Sequence, residues 1–372
     1  MNGRDVWVER QQAGTVMPML HLDAQLLLGL LLLCGIGCAI LYSASGASDT
    51  LLTRQLIRLG IAFVVMLAIA QVPSDVLRRW SLPLYLLGVV LLALVLVLGD
   101  VGKGAQRWLD LGVVRFQPSE IMKLATPMMV ARYIHEHRMP PTLRDVAVVA
   151  VIVLLPAALI IQQPDLGTAL LVATAGAFAL FMAGLSWRVI LALLAAIAAC
   201  VPLLWMNMHE YQRQRVLTFL NPEADPLGAG YHIIQSQIAI GSGGLFGQGW
   251  LQGSQAHLRF LPERSTDFIF AVFAEEFGLL GLLVLLALYL FVIFRGLRIA
   301  LLAQNVYERL LAAALSLTFF VYVSVNAGMV SGLLPVVGVP LPLISYGGTS
   351  MVTLMAGFGM LMSIQTHKKM LL

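Results

Sequence analysis

The sequence predicts an all-α polytopic membrane protein of about ten transmembrane helices. Both termini are expected to be cytoplasmic, with one large extracytoplasmic loop between helices 7 and 8. Three observations lead there. The 372 residues are 59% hydrophobic and only 11% charged, where a soluble domain carries roughly 25% charged residues. Apolar runs long enough to cross a hydrocarbon core recur along the chain. Lys and Arg in the connections favour one side.

The runs fall at 23–43, 55–72, 82–99, 118–134, 145–162, 166–184, 188–206, 267–294, 308–330 and 349–366. They divide the chain into an N-terminal segment 1–22, a transmembrane domain 23–366 with an outer loop 207–266, and a tail 367–372. The first run is about twenty residues long, which suits a spanning helix better than a cleaved signal peptide. With the N-terminus inside, 13 of the 23 basic residues lie in inner segments. Nine lie outside, and Lys123 lies within a helix. Seven of those nine sit in two loops, about 100–117 and 207–266. An outward site for an anionic substrate accounts for that concentration, whereas a plain scaffold does not.

Several classes are disfavoured. No basic run is interleaved with aromatics, so nucleic acid is not expected as a partner. Cys34, Cys38 and Cys200 all fall in apolar stretches and form no disulfide or metal framework. There is no Ser-His-Asp order and no His-Glu-x-x-His, and the seven histidines lack ligand spacing. The absence of an evident inverted repeat argues against a secondary transporter.

Within the outer loop, Tyr231–Ile240 reads as a short amphipathic helix at the interface. Gly241–Trp250 follows, and reads as a flexible, backbone-exposed glycine-rich loop. It lacks the Gly-Lys-Ser/Thr ending of a phosphate-binding P-loop.

The most charged boundary is 259–278. Asp267 stands at the entrance of a helix there, with Arg259, Glu263 and Arg264 before it and Glu275 and Glu276 two turns inside. Ser265 and Thr266 are candidate helix caps. An acid in a first turn complements the helix dipole, and a carboxylate held at a membrane surface can also serve as a general base. Glu275 and Glu276 point about 100° apart on a helix, so at least one is expected to meet the bundle interior.

Lys123, in Gln117-Pro-Ser-Glu-Ile-Met-Lys123, has Glu120 three residues earlier on the same face. A salt bridge explains the pair, and a lysine facing a cavity to bind phosphate is the alternative. Asp165 follows Pro164 at the start of another span, where capping and function are both open readings. Arg107 and Trp108 read as an interfacial anchor. The Pro- and Gly-rich stretch 335–350, with Ser345 and Tyr346, puts irregular backbone at a membrane boundary. Such backbone is tolerated only against protein or a wet cavity, so a lined cavity is expected.

Several segments together resemble the SEDS family of cell-wall polymerases. They are Gly104-Ala-Gln-Arg-Trp, Phe116-Gln-Pro-Ser-Glu-Ile-Met-Lys123, Gln163-Pro-Asp-Leu-Gly-Thr168, Gly247-Gln-Gly-Trp250, Pro262-Glu-Arg-Ser-Thr-Asp-Phe268 with Glu275-Glu-Phe-Gly, and Pro340-Leu-Pro-Leu-Ile-Ser-Tyr-Gly-Gly-Thr-Ser350. Gly347-Gly-Thr-Ser350 and the short tail agree with the cell-elongation branch rather than the division branch.

The resemblance implies a glycosyltransferase that polymerises lipid II on the outer face of the bacterial cytoplasmic (inner) membrane, feeding a lipid-linked glycan strand during elongation and rod-shape maintenance. It implies an essential catalytic carboxylate at Asp267, and functional importance for Lys123, Asp165 and Arg54. It also implies a class B penicillin-binding protein and elongation-complex membrane proteins as partners. The cofactor it implies is a divalent cation, Mg or Mn, with no organic cofactor; the metal ligands stay open, with Asp267 as the candidate contact.

The residues suit that chemistry. Transfer onto a sugar hydroxyl needs a base for the acceptor. A pyrophosphate leaving group needs positive charge rather than a general acid. Lys123 and the outer arginines Arg107, Arg115, Arg259 and Arg264 are the candidate cations. Glu120, Asp165, Ser345 and Tyr346 complete the expected substrate site. Direct displacement inverts the anomeric centre. A lipid II flippase and a non-catalytic scaffold for the penicillin-binding protein are the competing readings.

Overall fold

The structure, a computed structural model, describes residues 16–17, 20–102, 105–110, 115–137, 139–208, 210–224, 229–254 and 263–368. A two-stranded antiparallel pair, β1 (Val16–Met17) and β2 (Leu22–Asp23), leads into α1 (Ala24–Ala44), α2 (Asp49–Ala70) and α3 (Ser74–Leu98). A ribbon of β3 (Asp100–Gly102), β4 (Ala105–Asp110) and β5 (Arg115–Phe116) follows. Next come α4 (Pro118–His135), α5 (Leu143–Gln162), α6 (Leu166–Met182) and α7 (Trp187–Asn207). The loop expected at 207–266 holds α8 (Glu210–Leu220), a 3-10 turn and α9 (Ala229–Ser242). The chain ends with α10 (Ile269–Leu301), α11 (Val306–Val330) and α12 (Thr349–Thr366).

Every expected apolar run falls on a helix. Among the described residues, six helices are long and apolar enough to cross a membrane: α1, α2, α3, α5, α10 and α11. In α4 the 18 residues include Glu120, Lys123 and Arg132, and α6 is only 17 residues long. The stretch 100–117, read from sequence as a plain loop, contains the three-stranded ribbon instead. Antiparallel pairing of Val101 with Gln106 and of Leu109 with Phe116 satisfies backbone groups that a loop would leave to water.

Short polar side chains start several helices. Asp23 accepts from the Leu26 amide, Ser48 from Leu51 and Asn305 from Glu308. Thr142 and Asp145 form a reciprocal capping box at the start of α5. The core is built around α11, where Leu310, Leu311, Ala312 and Ala314 are wholly buried. Its run of three alanines lets neighbouring backbones approach closely. Helices α4, α6, α9, α10 and α12 all pack on it.

One strong charge pair within the bundle was not anticipated from sequence. Asp23 is wholly buried and takes a two-pronged contact from Arg295 of α10, with Nε to Oδ1 at 3.0 Å and Nη2 to Oδ2 closer still. The described ends of the chain also meet. The His21 ring stacks on that of His367 with centroids 4.0 Å apart, so these two described ends lie on one side of the bundle.

The helix expected at 267–294 is broken. Gly278 has φ 62 and ψ −164, so α10 is a short buried piece followed by a long one. A break interrupts the i to i−4 ladder and exposes backbone donors and acceptors. The glycine-rich stretch supplies their partners. Gln248 and Gly249 amides donate to the Glu275 and Glu276 carbonyls, both at 3.0 Å. The Leu279 and Leu280 amides donate to Gly244 and Leu245 at 3.0 and 3.1 Å.

Close approach explains the glycines. A Cβ at Gly243 would lie 2.1 Å from the Ala274 carbonyl oxygen, and one at Gly247 2.1 Å from that of Glu276. The stretch read as a flexible loop is therefore a fitted backbone plug.

Gly247, with φ +82 and no room for a Cβ, should not tolerate alanine. Gly247→Ala is expected to destabilise by more than about 2 kcal/mol. Gly241→Ala, with nothing within 4 Å of the added carbon, should be near neutral. Thermal unfolding of the two purified variants checks the contrast.

Candidate active site

The plug fixes the short first piece of α10, and Asp267 lies just before that piece in a turn over Glu263–Phe268. Helix α10 begins at Ile269 with Phe268 at its N-cap and no side-chain cap. Ser265 and Thr266 are therefore not caps, contrary to the sequence reading. Their carbonyls are used instead: Ser265 O accepts from the Tyr346 amide at 2.8 Å, and Thr266 O from Ser345 Oγ at 2.6 Å. The Asp267 carbonyl accepts from Asn326 Nδ2 at 2.9 Å. The same Nδ2 donates to Val339 O at 2.8 Å, so one wholly buried amide holds the turn to the 335–345 segment. The carboxyl-bearing residue itself is half-buried.

Above the turn, Gly338 has φ +74, and a Cβ there would come 3.6 Å from Asp267 Oδ2. Residue 338 thus combines a left-handed backbone with close approach to the carboxylate. Tyr346 carries the Arg58 guanidinium over its ring at 4.4 Å, a cation–π contact. Arg264 comes near the turn between α1 and α2, with Nη2 3.9 Å from the Cβ position of Gly46. Asp267, Arg264, Ser345, Tyr346 and Arg58 thus belong to one constellation.

Sequence reasoning chose Arg54 on α2. The structure leaves Arg54 exposed and brings Arg58, one turn later, into the site. The two are i, i+4 neighbours on one helix face, so the sequence held the signal for a basic face but not for which member meets Tyr346. Asn326 was missed, and a lone Asn in an apolar run was its only signal. Arg259 lies outside the described residues. Arg115 is placed only through its strand backbone.

A second group, on α4, packs against Tyr322 of α11. Lys123 and Glu120 are both buried and paired at 2.7 Å. Lys123 Nζ also lies 5.3 Å from the centre of the Tyr322 ring. The salt-bridge reading of Lys123 holds, and the paired lysine also borders a small pocket lined by Tyr322, Thr318, Phe319 and Thr353. Tyr322 and Asn326 are one helical turn apart, so α11 presents the lysine group and the Asp267 turn about 6 Å apart along its axis.

Asp165 forms the third group. It caps α6 by accepting from the Thr168 amide at 3.2 Å. Its other oxygen takes Gln117 Nε2 at 3.2 Å and lies 3.8 Å from Arg107. Arg107 Nε also donates to Gln163 O at 3.2 Å, so this arginine ties the ribbon to α6 rather than only anchoring at an interface. The next turn joins the groups: a Cβ at Gly167 would lie 2.8 Å from Val337 O, against the segment that covers Asp267.

Glu275 and Glu276 both point into protein, one more than sequence required. Ser254 Oγ donates to Glu275 at 3.1 Å, and Ser43 Oγ to Glu276. They brace the plug and α1 against the short piece of α10.

A helical, multi-pass membrane protein with a carboxylate turn and buried lysine and acid groups along one core helix is the class that this fold and site define. The chain belongs to the FtsW/RodA/SpoVE family, whose model, described as cell cycle protein, matches residues 16–370. It is 55% identical over 358 residues to the peptidoglycan glycosyltransferase MrdB of Escherichia coli K12, covering 96% of this chain and 97% of that protein. It is 32% identical over 423 residues to the peptidoglycan glycosyltransferase RodA of Treponema pallidum, covering 93% and 98%. Among solved structures, a chain from a peptidoglycan synthase complex that coordinates polymerization and crosslinking superposes with TM-score 0.81 at 34% identity, over 92% of this chain and 97% of that one. The rod shape determining protein RodA of Thermus thermophilus superposes with TM-score 0.71 at 30% identity, over 94% and 98%.

Two outcomes follow from the geometry. Asn326→Leu removes the donor shared by Asp267 O and Val339 O, an expected loss of about 1–3 kcal/mol. Hydrogen exchange should then rise in residues 263–268 and 337–340 while α5 stays protected. His232 of α9 stacks on Phe268 with centroids 5.6 Å apart. Burial holds its imidazole below the usual range, with Glu263 opposing. A depressed histidine means that the unfolded chain takes the proton first, so this contribution is intact above an unfolded value of about 6.5 and is lost as pH falls below it. His232→Gln should flatten the fall of Tm between about pH 7 and pH 5.5.

Proposed function

We propose that this chain is a peptidoglycan glycosyltransferase that polymerises lipid II, with Asp267 as its base. The observation that carries the site assignment is the half-buried Asp267 carboxylate beneath Gly338, in a turn whose backbone is tied down from three directions. Those bonds use carbonyls of residues 265–267, so the turn that carries the carboxylate is held in place through its backbone. Its relatives bear that activity in their names.

In the proposed reaction the acceptor sugar hydroxyl attacks the anomeric carbon of the donor. Asp267 takes the hydroxyl proton as the new C–O bond forms and the bond to the lipid pyrophosphate breaks. The departing pyrophosphate carries its electron pair away, and Arg58 and Arg264 are the cations of the constellation that would stabilise it. Attack opposite to the leaving group inverts the anomeric centre. Lys123, buried with Glu120, serves a deeper part of the substrate from the cavity under Tyr322.

The described residues contain no group of three or more His, Cys, Asp or Glu placed to hold a metal. A magnesium ion usually takes one or two carboxylates plus substrate phosphates, and Asp267 with a pyrophosphate is such a donor set. A bound divalent cation would supply charge neutralisation at the pyrophosphate.

The reading places all ten apolar helices across the bacterial inner membrane, with the Asp267 end outward and both termini cytoplasmic. A class B penicillin-binding protein is the proposed partner, by analogy with the synthase complex that the chain superposes on.

Purified protein, alone and with that partner, should make glycan from lipid II. Asp267→Ala and Asp267→Asn should each lower the rate by about 100-fold or more while leaving Tm within a degree or two of wild type. Glycan formed at equal rates by wild type and both variants would overturn the assignment.

A further inference from the structure

The end of the bundle opposite Asp267 carries a basic pocket that the reaction does not use. It is lined by Arg78 and Arg79 of α3 and by Arg132, His135 and Glu136 at the end of α4, around about 570 Å³ of open space. Its distance from the active site can be read along α11. Glu308, in the first turn, bonds Ser74 at 2.5 Å beside the pocket, and Asn326 holds the Asp267 turn. Those residues are 18 positions apart, or about 27 Å of helix.

Three guanidinium groups share this pocket with one lining carboxylate. Arg132 Nε pairs with Glu136 at 3.0 Å, its Nη1 donates to Arg79 O at 3.3 Å, and Arg78 Nη2 lies 3.5 Å from Asp75. With Asp75 and the buried Glu308 counted the formal charges balance, but those two carboxylates lie outside the lining, which itself carries three guanidinium groups against one carboxylate.

The histidine adds a directional argument. Arg78 Nη1 donates to His135 Nε2. A guanidinium has no lone pair to offer, so Nε2 is the acceptor and the ring proton of neutral His135 sits on Nδ1. That Nδ1 is buried inside the protein, so the histidine faces the pocket through Arg78, which it orients. The pocket lining therefore gathers three guanidinium groups around open space. A group with several anionic oxygens suits such a set of donors.

The surroundings indicate where such a group comes from. Trp80, next to exposed Arg79, is 57% exposed. The exposed positions that follow on α3 are apolar: Leu82, Leu86, Leu87 and Val90. A tryptophan at the point where a helix passes from charge to an apolar outer face marks the headgroup level of a bilayer. Basic pockets between helices at that level suit anionic headgroups.

We propose that this pocket binds the phosphate of an anionic phospholipid from the leaflet at this end, with Arg79 and Arg132 as its donors and His135 orienting Arg78 beside them. The proposal stands apart from the reading of Asp267 and would survive its failure.

The test uses full-length protein in a non-ionic detergent and native mass spectrometry. Cardiolipin, phosphatidylglycerol and phosphatidylcholine are titrated separately, with and without millimolar inorganic phosphate. The variants are Arg79→Gln with Arg132→Gln, His135→Phe, and Arg309→Gln as a charge control outside the pocket lining. Each is first matched to wild type by Tm without added lipid.

Wild type and Arg309→Gln should retain the anionic lipids over phosphatidylcholine. The double variant should lose about tenfold or more of that preference, and His135→Phe a smaller part. Equal preference in wild type and double variant would overturn the proposal. Full displacement of lipid by inorganic phosphate would make the ligand a soluble anion and also overturn it. So would binding of an acidic polyglutamate peptide by a protein that retains no anionic lipid, since the partner would then be a protein segment. If the double variant proves less stable than wild type, the His135→Phe comparison decides.

Discussion

The backbone pairing between residues 244–249 and the broken helix at 275–280 is the constraint on which the site depends. A helix interrupted inside an apolar bundle leaves amides and carbonyls that neither lipid nor side-chain packing can satisfy. Here a glycine-rich strand of chain lies against the break and exchanges hydrogen bonds with both sides of it. The break separates a short piece, Ile269–Phe277, from the long remainder of α10. That short piece is buried, and it places the Asp267 turn under the 335–345 segment. The long piece continued without a break would carry the aspartate in a different direction.

The acid and base groups are organised by α11. Asn326 fixes the Asp267 turn through its backbone carbonyl, and Tyr322, one turn earlier, meets Lys123. Segment 337–339 then reaches across to Gly167 and the Asp165 cap. Charges inside a membrane protein are expensive unless paired or hydrogen-bonded. Each buried group here has a partner of opposite charge or a donor: Lys123 with Glu120, Asp165 with Arg107 and Gln117, Glu275 with Ser254, Glu276 with Ser43. Asp267 differs in being only half-buried, which suits a carboxylate that must meet a substrate.

The opposite end follows another electrostatic logic. Asp23 and Arg295 form a buried ion pair whose two prongs lock α1 to α10. Removing one partner of such a pair leaves an uncompensated charge, so its value lies in fixing the register of the two helices. The arginines of α3 and α4 at this end stay half-buried or exposed around open space. One set of charges is thus internal and structural, and the other is available to a ligand.

Much of this was legible in the sequence because hydropathy and charge are local properties. The ten apolar runs coincide with helices, and Lys123 with Glu120 is readable from an i, i+3 spacing. The amphipathic stretch 231–240 is indeed a helix. Asp267 was conspicuous because a carboxylate among arginines at a membrane boundary is uncommon. What sequence could not supply were contacts between distant backbones. The plug looked like a flexible loop because glycine reports only conformational freedom, and its partner lies some thirty residues away. Ser265 and Thr266 looked like caps because the true start of α10 is set by Tyr346 and Ser345, about eighty residues downstream. Arg54 and Arg58 share one face of α2, and only the approach of Tyr346 separates them. The sequence by itself determined where the apolar helices lie along the chain, the identity of the charged groups and the resemblance they carry. The tertiary structure decided where α10 breaks, which arginine joins the site and what holds Asp267 in place, because those outcomes depend on packing and hydrogen bonds between segments that only folding brings together.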